Sequence, residues 1–468
     1  MDAQALNRYA PYDTQAVQQA LSEALAQSKV KIIVLDDDPT GTQTVHDLYV
    51  FTDWSVQSMR SGIQSNDRLF YILTNSRAFS SEKTKAVHKE IAENALAAAD
   101  DFVLISRSDS TLRGHWPLET QTMYDTLAQH GKRADGEIIY PFFPEGGRYT
   151  MDNIHYVRYG DELIPAGETE FAQDKTFGYT SSDLTEWVSE KTEGAYRAQD
   201  VICISMEELR QLNYEAIEAK LSSACDFAKV IVNSVSYDDV KVFATALLRV
   251  MARGKRFLFR SAAALCKVLG DVSDKPLLTK AEMVPKGNAN GGLIIIGSHV
   301  QKTSQQLEAL RARTDICFIE MNQHLVLDEA AFQKETDRVT ALANAEIAKG
   351  NTVAVFTRRD RFDLGTTDKE AELMLAGKIS DKLISVVSAQ KQCPAFIVAK
   401  GGITSSDVAT KALRIKKALI LGQILPGVPV WRTGEESRFP GIAYVIFPGN
   451  VGGEDALLTA VNRLTQEA

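Results

Sequence analysis

Residues Ile32-Ile33-Val34-Leu35-Asp36-Asp37-Asp38-Pro39-Thr40-Gly41-Thr42 form the stretch that decides the fold of this 468-residue chain. A short β-branched run that stops at carboxylates, a proline and a glycine predicts a buried strand that leads into a loop. In open α/β sheets, ligands bind at that carboxyl edge. Because three adjacent acids repel one another, we expect a partner beside them, such as a cation or hydroxyl groups. The alternative is a solvated turn in which Asp38 and Thr40 cap a helix.

Short apolar runs alternate with longer amphipathic stretches in the first part of the chain. The predicted strands there are Val30–Leu35, Leu69–Leu73, Phe102–Ile105, Glu137–Tyr140, Val230–Val232 and Phe257–Phe259. Helical patterns lie between several of them, as at Ser81–Ala99 and Ser236–Ala252. This alternation predicts β-α-β units and a parallel sheet. Residues 150–200 have few periodic apolar positions, and we expect an irregular excursion there.

The pattern stops at Val284–Gly292, a run rich in proline, glycine and asparagine that is the best linker in the sequence. After it, the predicted strands are Leu293–Ile296, Ile316–Ile319, Thr352–Phe356, Ala395–Ala399 and Ala443–Phe447. We therefore predict an α/β protein with two domains, residues 1–287 and 288–468. Each is expected to be a mainly parallel sheet flanked by helices, with a cleft between the two.

The charge, the cysteines and the apolar stretches of the chain limit the classes of protein to which it can belong. The chain has 52 basic and 61 acidic residues and a net charge of −9, which argues against a general nucleic-acid binder. Five scattered cysteines, mostly in apolar runs, predict buried free thiols in a reducing compartment. The polar N-terminus does not resemble a secretory signal, and no apolar stretch is long enough to span a membrane. We expect a cytoplasmic protein; whether it forms a homo-oligomer stays open.

Four predicted strand ends of the first domain carry polar residues, and parallel strands bring such ends to one edge. Arginine, which matches a carboxylate with two parallel hydrogen bonds, occurs in three of these loops. Taken together, arginines, carboxylates and hydroxyl groups predict a pocket for a small polyhydroxy acid. The alternatives are surface arginines, and Ser110 and Thr111 as helix N-caps. The candidate residues are Asp36, Asp37, Asp38, Thr40, Gly41, Asn75, Arg77, Arg107, Asp109, Ser110, Thr111, Arg113 and Arg148.

Strand ends in the second domain are rich in glycine instead. Glycine allows backbone N–H groups to approach a phosphate closely, and a following helix offers its positive end. Neither a P-loop nor a dinucleotide fingerprint occurs, and glycine at such a turn is often only a device for tight turning. Lys400 could add positive charge to such a phosphate site; the alternative interpretation is an ordinary surface lysine. The candidate residues are Ser298, Lys400, Gly401, Gly402, Ile403, Thr404, Ser405 and Gly449.

Taken in order, these loops resemble the four-carbon acid sugar kinase family. The matching segments are Asp36–Thr42, Ser106–Gly114, Pro141–Arg148, Gly297-Ser298, Gly401–Ser405 and Pro448-Gly449-Asn450. The resemblance implies a sugar-acid-binding N-terminal domain and a nucleotide-binding C-terminal domain. It also implies ATP-dependent phosphorylation of a hydroxyl on a tetronate-like acid, such as erythronate, threonate or a 3-oxo-tetronate. A branched apionate-type acid is a further option.

A phosphoryl transfer of this kind needs mainly alignment and charge neutralisation, with Mg²⁺ bridging the phosphates. In our hypothesis Arg107, Arg113 and Arg148 hold the substrate carboxylate. Asp37, or a neighbour in the triplet such as Asp36, accepts the proton of the attacking hydroxyl, and one of these acids could instead position Mg²⁺. Two alternatives remain: a nicotinamide-dependent oxidoreductase acting on hydroxy acids, and a nucleotide-regulated sugar-acid sensor. Release of ADP in the presence of ATP, Mg²⁺ and tetronates would separate the three.

Overall fold

The computed structural model describes residues 1–360, 362, 364, 369–449 and 451–466. The chain divides into two compact units. Unit 1 consists of Met1–Gly41 and Asp53–Asp274, and unit 2 of Thr42–Thr52 and Lys275–Ala468. The predicted α/β class is confirmed.

The strands, numbered along the chain, are β1 (Ile32–Asp36), β2 (Leu48–Phe51), β3 (Leu69–Leu73), β4 (Val103–Arg107), β5 (Gly136–Tyr140), β6 (Arg148–Met151), β7 (Ile154–Tyr159), β8 (Glu162–Pro165), β9 (Ile202–Ile204), β10 (Ala228–Val232), β11 (Phe257–Ser261), β12 (Leu293–Ile296), β13 (Ile316–Met321), β14 (Thr352–Thr357), β15 (Phe396–Lys400), β16 (Lys417–Leu425), β17 (Val428–Thr433) and β18 (Ala443–Phe447).

The α-helices are α1 (Thr14–Gln27), α2 (Val56–Ile63), α3 (Ser81–Ala98), α4 (Leu118–Gln129), α5 (Leu184–Lys191), α6 (Met206–Arg210), α7 (Tyr214–Ser223), α8 (Tyr237–Ala252), α9 (Ala263–Leu269), α10 (Lys280–Met283), α11 (Gln301–Leu310), α12 (Glu329–Ala348), α13 (Lys369–Ser388), α14 (Gly402–Asp407) and α15 (Ala456–Thr465). Short 3-10 turns lie at Ala3–Arg8, Ser76–Ala78, Pro144–Gly146, Ala166–Glu168, Ala198–Asp200 and Gln323–Leu327, and a π-helical turn at Val408–Ala412 follows α14.

Unit 1 is built on a parallel sheet with the strand order β3-β1-β4-β11-β5-β10-β9. Every residue of β1, β3, β4, β5 and β11 is buried, as expected for parallel strands covered on both faces. In the register of this sheet, Asp36 at the end of β1 lies between Leu73 of β3 and Arg107 of β4. The sheet therefore brings the polar loops after these strands to one edge.

The segment expected to be irregular contains a regular element. Strands β6, β7 and β8 form a separate antiparallel meander, in which Tyr149 lies opposite Tyr156 and Val157 opposite Ile164. These strands are only four to six residues long and joined by tight turns, so their apolar positions are too few to give a clear period. Helix α5 also lies in this region. The prediction of an irregular excursion was wrong for these residues.

Unit 2 is built on a mixed sheet with the order β13-β14-β12-β15-β18-β17-β16-β2. Strands β13, β14, β12, β15 and β18 pair in parallel, and β18, β17, β16 and β2 pair antiparallel. The parallel part carries the predicted strands, while β16, β17 and β2 were not predicted. Helix α14 begins at Gly402, so residues 402–405 of the predicted glycine-rich loop lie in its first turn.

The boundaries of the units differ from the predicted division after residue 287. Residues 275–287 lie with unit 2, where Leu278 and Met283 belong to its apolar core and the Leu278 N–H donates to the Gln423 carbonyl (2.8 Å). Residues 42–52 also join unit 2, because Leu48 in β2 pairs with Ile420 in β16. The indole N–H of Trp431 donates to the Thr42 hydroxyl (2.9 Å) at the start of this segment.

Two further expectations can be compared with the structure. All five cysteines are free, as predicted, but only Cys266 is buried and Cys225 is exposed, so the prediction that the thiols are buried was wrong for the other four. Cys225 lies in the polar turn before β10 rather than inside an apolar run. Among the helices that the structure describes, none combines the length and apolarity needed to cross a bilayer.

Candidate functional site

Asp36 is a fully buried carboxylate at the carboxyl end of β1. Arg107 Nη1 lies 3.2 Å from Asp36 Oδ1 and 3.8 Å from Asp37 Oδ1. Asp36 Oδ2 has no hydrogen-bond partner among the described residues. Burial raises the pKa of Asp36 to about 8, although Arg107 opposes this shift. The space for this carboxylate exists because residue 41 is glycine: a β-carbon there would lie 1.9 Å from Asp36 Oδ1.

Asp37 is held by Arg77, which follows β3. Arg77 donates from Nε to Asp37 Oδ2 (3.0 Å) and from Nη2 to Asp37 Oδ1 (2.6 Å), the bidentate geometry of a guanidinium–carboxylate pair. Burial raises the pKa of Asp37, and Arg77 opposes the shift. Asn75 precedes this turn in the left-handed conformation (φ 55°), and its N–H donates to the Asp36 carbonyl (3.3 Å). Asn75 thus acts through its backbone in the turn that places Arg77.

Asp38 closes a turn instead of capping a helix. Its Oδ1 accepts from Thr40 N (2.9 Å) and from Thr40 Oγ1 (2.6 Å), and the next element along the chain is the strand β2. Burial disfavours ionisation of Asp38, but Arg77 at 3.5 Å and the hydrogen bonds from Thr40 outweigh it and lower the pKa. The three adjacent acids therefore have cationic and hydroxyl partners, of the kind that their repulsion requires.

The loop after β4 carries a second ion pair. Arg113 Nε lies 2.6 Å from Asp109 Oδ2, and Thr111 also donates to this carboxylate. Asp109 is half-buried, which disfavours its ionisation, but the nearby cations Arg77 and Arg113 outweigh this and lower its pKa. Helix α4 begins only at Leu118, so Ser110 and Thr111 are not its N-caps.

Arg148 begins β6 and differs from the other predicted arginines. It donates from Nη1 to the Gly146 carbonyl, and no carboxylate forms an ion pair with it among the described residues. Burial lowers its pKa. Its guanidinium lies 5.5 Å from the ring centre of Phe171, and that of Arg113 lies 5.1 Å from the same ring. Arg113 and Arg148 thus share one aromatic neighbour.

Two buried charges at this edge were missed by sequence reasoning. Glu119 in α4 accepts from Ser76 Oγ (2.7 Å) and Ser106 Oγ (3.1 Å), which ties the loops after β3 and β4 together. Arg260 lies in β11 with no exposed surface. Arg260 directly follows the predicted strand Phe257–Phe259, so the rule that polar residues at strand ends form the site could have found it. Glu119 carries no such signal.

In unit 2, three glycine-containing loops come together. A β-carbon on Gly297 would lie 2.4 Å from Thr404 Oγ1, and one on Gly401 would lie 3.0 Å from the Ser298 β-carbon. Gly401 also has φ 119°, a left-handed conformation that favours glycine. Gly449 approaches Ser298 as well, with 3.3 Å between its missing β-carbon and Ser298 Oγ. These glycines carry no side chain that would cover the backbone next to Ser298.

The other predicted residues of unit 2 have mixed surroundings. Lys400 is buried, and its Nζ donates to the carbonyls of Pro448 (2.6 Å) and Gly449 (3.3 Å), so it joins two loops. Burial, helped by Lys302, lowers the pKa of Lys400 to about 7. Ser405 Oγ donates back to the Ala399 carbonyl (2.9 Å). Ile403 is exposed and Gly402 begins α14; Asn450 lies outside the described residues.

Arg359, which sequence reasoning missed, lies beside these loops. It donates from Nη2 to the Ser298 carbonyl (2.6 Å) and from Nε to Ser304 Oγ (3.1 Å). Its buried Nη1 has no hydrogen-bond partner, and no carboxylate pairs with it in the described part of the chain. Burial alone lowers its pKa. Arg359 follows β14 by two residues, a position that the strand-end rule could have flagged.

A cavity of about 160 Å³ adjoins the same loops. Its lining combines apolar side chains with a few polar groups, as is common for small-molecule sites. The lining includes Gly297, His299, Thr357, Leu383, Ile403 and Thr404. In the part of the chain that the structure describes, no group of three or more His, Cys, Asp and Glu side chains is arranged to hold a metal ion.

In a comparison with known proteins, each half of the chain matches a protein family. Residues 32–269 match the family described as a sugar-binding N-terminal domain, and residues 293–457 match the one described as a nucleotide-binding C-terminal domain. A D-erythronate kinase from Heliobacterium modesticaldum is 23% identical over 322 residues. That match covers 66% of this chain and 66% of the kinase, so this chain spans about two thirds of the relative's length.

Two solved structures share the fold. A Haemophilus influenzae protein is 17% identical with a TM-score of 0.64, and the match covers 92% of this chain and 100% of that one. A Salmonella typhimurium protein is 16% identical with a TM-score of 0.66, and the match covers 92% of this chain and 99% of that one. These matches establish the fold of the chain.

Proposed function

Because the chain belongs to the four-carbon acid sugar kinase family, we propose that it is an ATP-dependent kinase that phosphorylates a hydroxyl group of a short sugar acid. The substrate would be an acid such as threonate, erythronate or 3-oxo-tetronate. Two comparisons support this proposal: the pair of domains described as sugar-binding and nucleotide-binding, and the distant similarity to a D-erythronate kinase.

The observation that carries the proposal is the combination, in unit 2, of glycine backbone, which carries no side chain, and a cation that has no carboxylate partner among the described residues. Gly297, Gly401 and Gly449 surround Ser298, and Arg359 contacts the same residue without a carboxylate partner in the described chain. Backbone N–H groups at glycines and a guanidinium are the groups that bind phosphate oxygens. In this proposal Ser298 and the Gly401–Ser405 turn hold the phosphates of ATP. Lys400 would act indirectly, by fixing the loop at Gly449.

In unit 1, the charges suggest which arginines hold the acid. Arg77 and Arg107 are engaged by Asp37 and Asp36, whereas Arg148 has no carboxylate partner among the described residues. A substrate carboxylate would supply the missing partner of Arg148, with Arg113 beside it across Phe171. Asp109, Ser110 and Thr111 would then present hydrogen-bonding groups to the substrate hydroxyls.

The chemistry of phosphoryl transfer asks little of the protein beyond positioning and charge neutralisation. Asp37 would orient the acceptor hydroxyl and accept its proton, with its carboxylate held in one orientation by Arg77. Arg107 would fix Asp36 beside it. Mg²⁺ supplies charge neutralisation when it is bound to the phosphates. Asp38, whose pKa is lowered, suits such an ion, because Mg²⁺ is commonly held by one or two carboxylates together with substrate phosphates.

The test is an assay of the purified chain with ATP, MgCl₂ and a panel of acids. The panel contains both enantiomers of threonate and erythronate, 3-oxo-tetronates and apionate. We expect ADP release with at least one acid, and a phosphate ester of that acid by ³¹P NMR. A nicotinamide absorbance change without ADP would instead identify an oxidoreductase. Binding of acid and nucleotide without turnover would identify a sensor.

A further inference from the structure

The backbone of the loop after β4 accepts hydrogen bonds from three side chains that lie outside it. His155 Nε2 donates to the Ser110 carbonyl (2.8 Å), and the Tyr179 hydroxyl donates to the Thr111 carbonyl (2.8 Å). Arg260 Nη2 donates to the Asp109 carbonyl (2.9 Å) and lies 3.3 Å from the Arg113 carbonyl. We call residues 109–113 the acid loop. Four of its five carbonyl groups thus accept from side chains of other elements.

The three donors come from separate parts of unit 1. His155 lies in β7 of the meander, Tyr179 in the segment after β8, and Arg260 in β11 of the parallel sheet. All three are buried. Because a buried carbonyl without a partner costs free energy, such donors replace the backbone partners that a strand or helix would provide. This arrangement gives the meander a role: it carries His155 to the loop.

Histidine is suited to this place in one protonation state. A carbonyl can only accept, so His155 must carry its proton on Nε2, and Nδ1 is left to accept from the Thr150 hydroxyl (3.0 Å). Burial lowers the pKa of His155 to about 3, so the ring is neutral at ordinary pH. Both nitrogens of the ring are therefore used, and its orientation is fixed.

The acid loop needs external support because its backbone is unfavourable by itself. Leu112 has φ 68° in the left-handed region, which is uncommon for a residue with a branched side chain. Gly114, just beyond the loop, has φ 117°, which glycine adopts without steric cost. A strained conformation such as that of Leu112 persists when surrounding contacts over-determine it. The three donors supply such contacts.

We propose that His155, Tyr179 and Arg260 are positioning residues that hold the acid loop in the conformation in which Asp109 and Arg113 bind the substrate acid. The inference rests on the proposed function for the link to the acid, but the restraint of the loop itself is independent of it. None of the three needs to touch the substrate. Their effect should appear in binding of the acid and not in binding of the nucleotide.

The experiment uses Tyr179→Phe, which removes one hydroxyl and keeps the ring. We expect the KM of the acid to rise about three- to ten-fold, the loss expected for one hydrogen bond, while the KM of ATP stays unchanged. Hydrogen exchange of peptides covering 107–115 should be faster than in wild type. His155→Leu should act in the same direction, and His155→Gln, whose amide can donate to the Ser110 carbonyl, should restore part of the protection.

The matched control is Tyr140→Phe. Tyr140 is also buried in unit 1, and its hydroxyl hydrogen-bonds to Ser234 and not to the acid loop. Because Ser234 pairs with Thr150, Tyr12→Phe, which loses only the hydrogen bond to Asp239 Oδ1 (2.7 Å), is a second control. The same rise in the KM of the acid in both controls would show general destabilisation and overturn the inference. Unchanged exchange of 107–115 in Tyr179→Phe would overturn the restraint. If wild type released no ADP with any acid, the proposed function would fail, and exchange would still decide whether the loop is restrained.

Discussion

The carboxylate of Asp36 occupies the space beside Gly41 that a side chain at residue 41 would need, since a β-carbon there would lie 1.9 Å from Asp36 Oδ1. We predict that Gly41→Ala displaces this carboxylate from Arg107. Overpacking of this kind costs about 1–3 kcal/mol of unfolding free energy. Denaturant unfolding measures the loss, and kcat should fall with it.

Gly377→Ala is the matched control for that substitution. Gly377 lies in α13 with open space around the position of a β-carbon. Alanine should leave kcat unchanged and stabilise the helix by up to about 1 kcal/mol. If Gly41→Ala were as harmless as Gly377→Ala, the close packing of Asp36 against residue 41 would be refuted.

Asp37→Asn removes the proposed proton acceptor and keeps the shape of the side chain. We expect kcat to fall by about a hundred-fold or more, the usual contribution of a positioned base. Binding of ADP, measured by calorimetry, should stay intact because the nucleotide is assigned to unit 2. Asp226→Asn, at an exposed turn, is the control for loss of one negative charge. Full turnover in Asp37→Asn would reject the role of Asp37.

Arg148→Met tests the arginine that has no carboxylate partner among the described residues. Loss of a charged hydrogen-bonding group should raise the KM of the acid about ten-fold or more, with little change in the KM of ATP. Arg158→Met is the control on the same meander, because Arg158 is exposed and faces the exposed Asp161. Steady-state kinetics with each substrate varied in turn gives both constants. An equal rise in the KM of the acid in the two variants would show that Arg148 does not bind the acid.

Arg359→Gln tests whether the guanidinium beside Ser298 binds the phosphates of the nucleotide. We expect weaker ADP binding and a higher KM of ATP, about ten-fold, with the KM of the acid unchanged. The neighbouring Arg358→Gln is the control, since Arg358 pairs with the exposed Asp360 (3.0 Å). Calorimetric titration with ADP measures the affinity directly. ADP affinity at the wild-type level would show that Arg359 does not contact the phosphates.

The lowered pKa of Lys400 predicts that the stability of the folded chain depends on pH. Its pKa in the folded chain is about 7, below the ordinary 10.5, so the unfolded chain binds more protons between these values. Stability must therefore rise with pH across this window. We expect Tm to rise more between pH 7 and 10 in wild type than in Lys400→Met, which lacks the titrating group. Parallel pH profiles of Tm in the two proteins would contradict a lowered pKa.

Strands with strong local signals were predictable from sequence. Leu69–Leu73, Leu293–Ile296 and Ala443–Phe447 have the predicted bounds, because a strand buried on both faces is apolar throughout. Strand β2 was not predicted, since its partner in β16 lies far away in sequence and the four residues carry little signal alone. The predicted division after residue 287 missed residues 42–52 for the same reason.

The candidate site shows the same limit. The strand-end rule selected Asp36, Arg77 and Asp109, and in the structure Arg77 interacts electrostatically with both of these acids at the sheet edge. The strand-end rule could not show that Arg107 is paired with Asp36 while Arg148 has no such partner in the described chain. Pairing depends on the distances between loops, which the sequence alone does not contain. His155 escaped prediction because it lies in the meander, where no pattern marked a strand, and Tyr179 because it lies in the irregular segment after β8.

Strand β2 also bears on the order in which the chain folds. Its residues leave the ribosome early, but Ala418 and Ile420, to which Val50 and Leu48 are paired, are made only after more than three hundred further residues. Contacts over such a separation form slowly, because the ends of a long segment must first be brought together. The sheet of unit 2 is therefore complete only once β16 has been made and Leu48–Phe51 pairs with it.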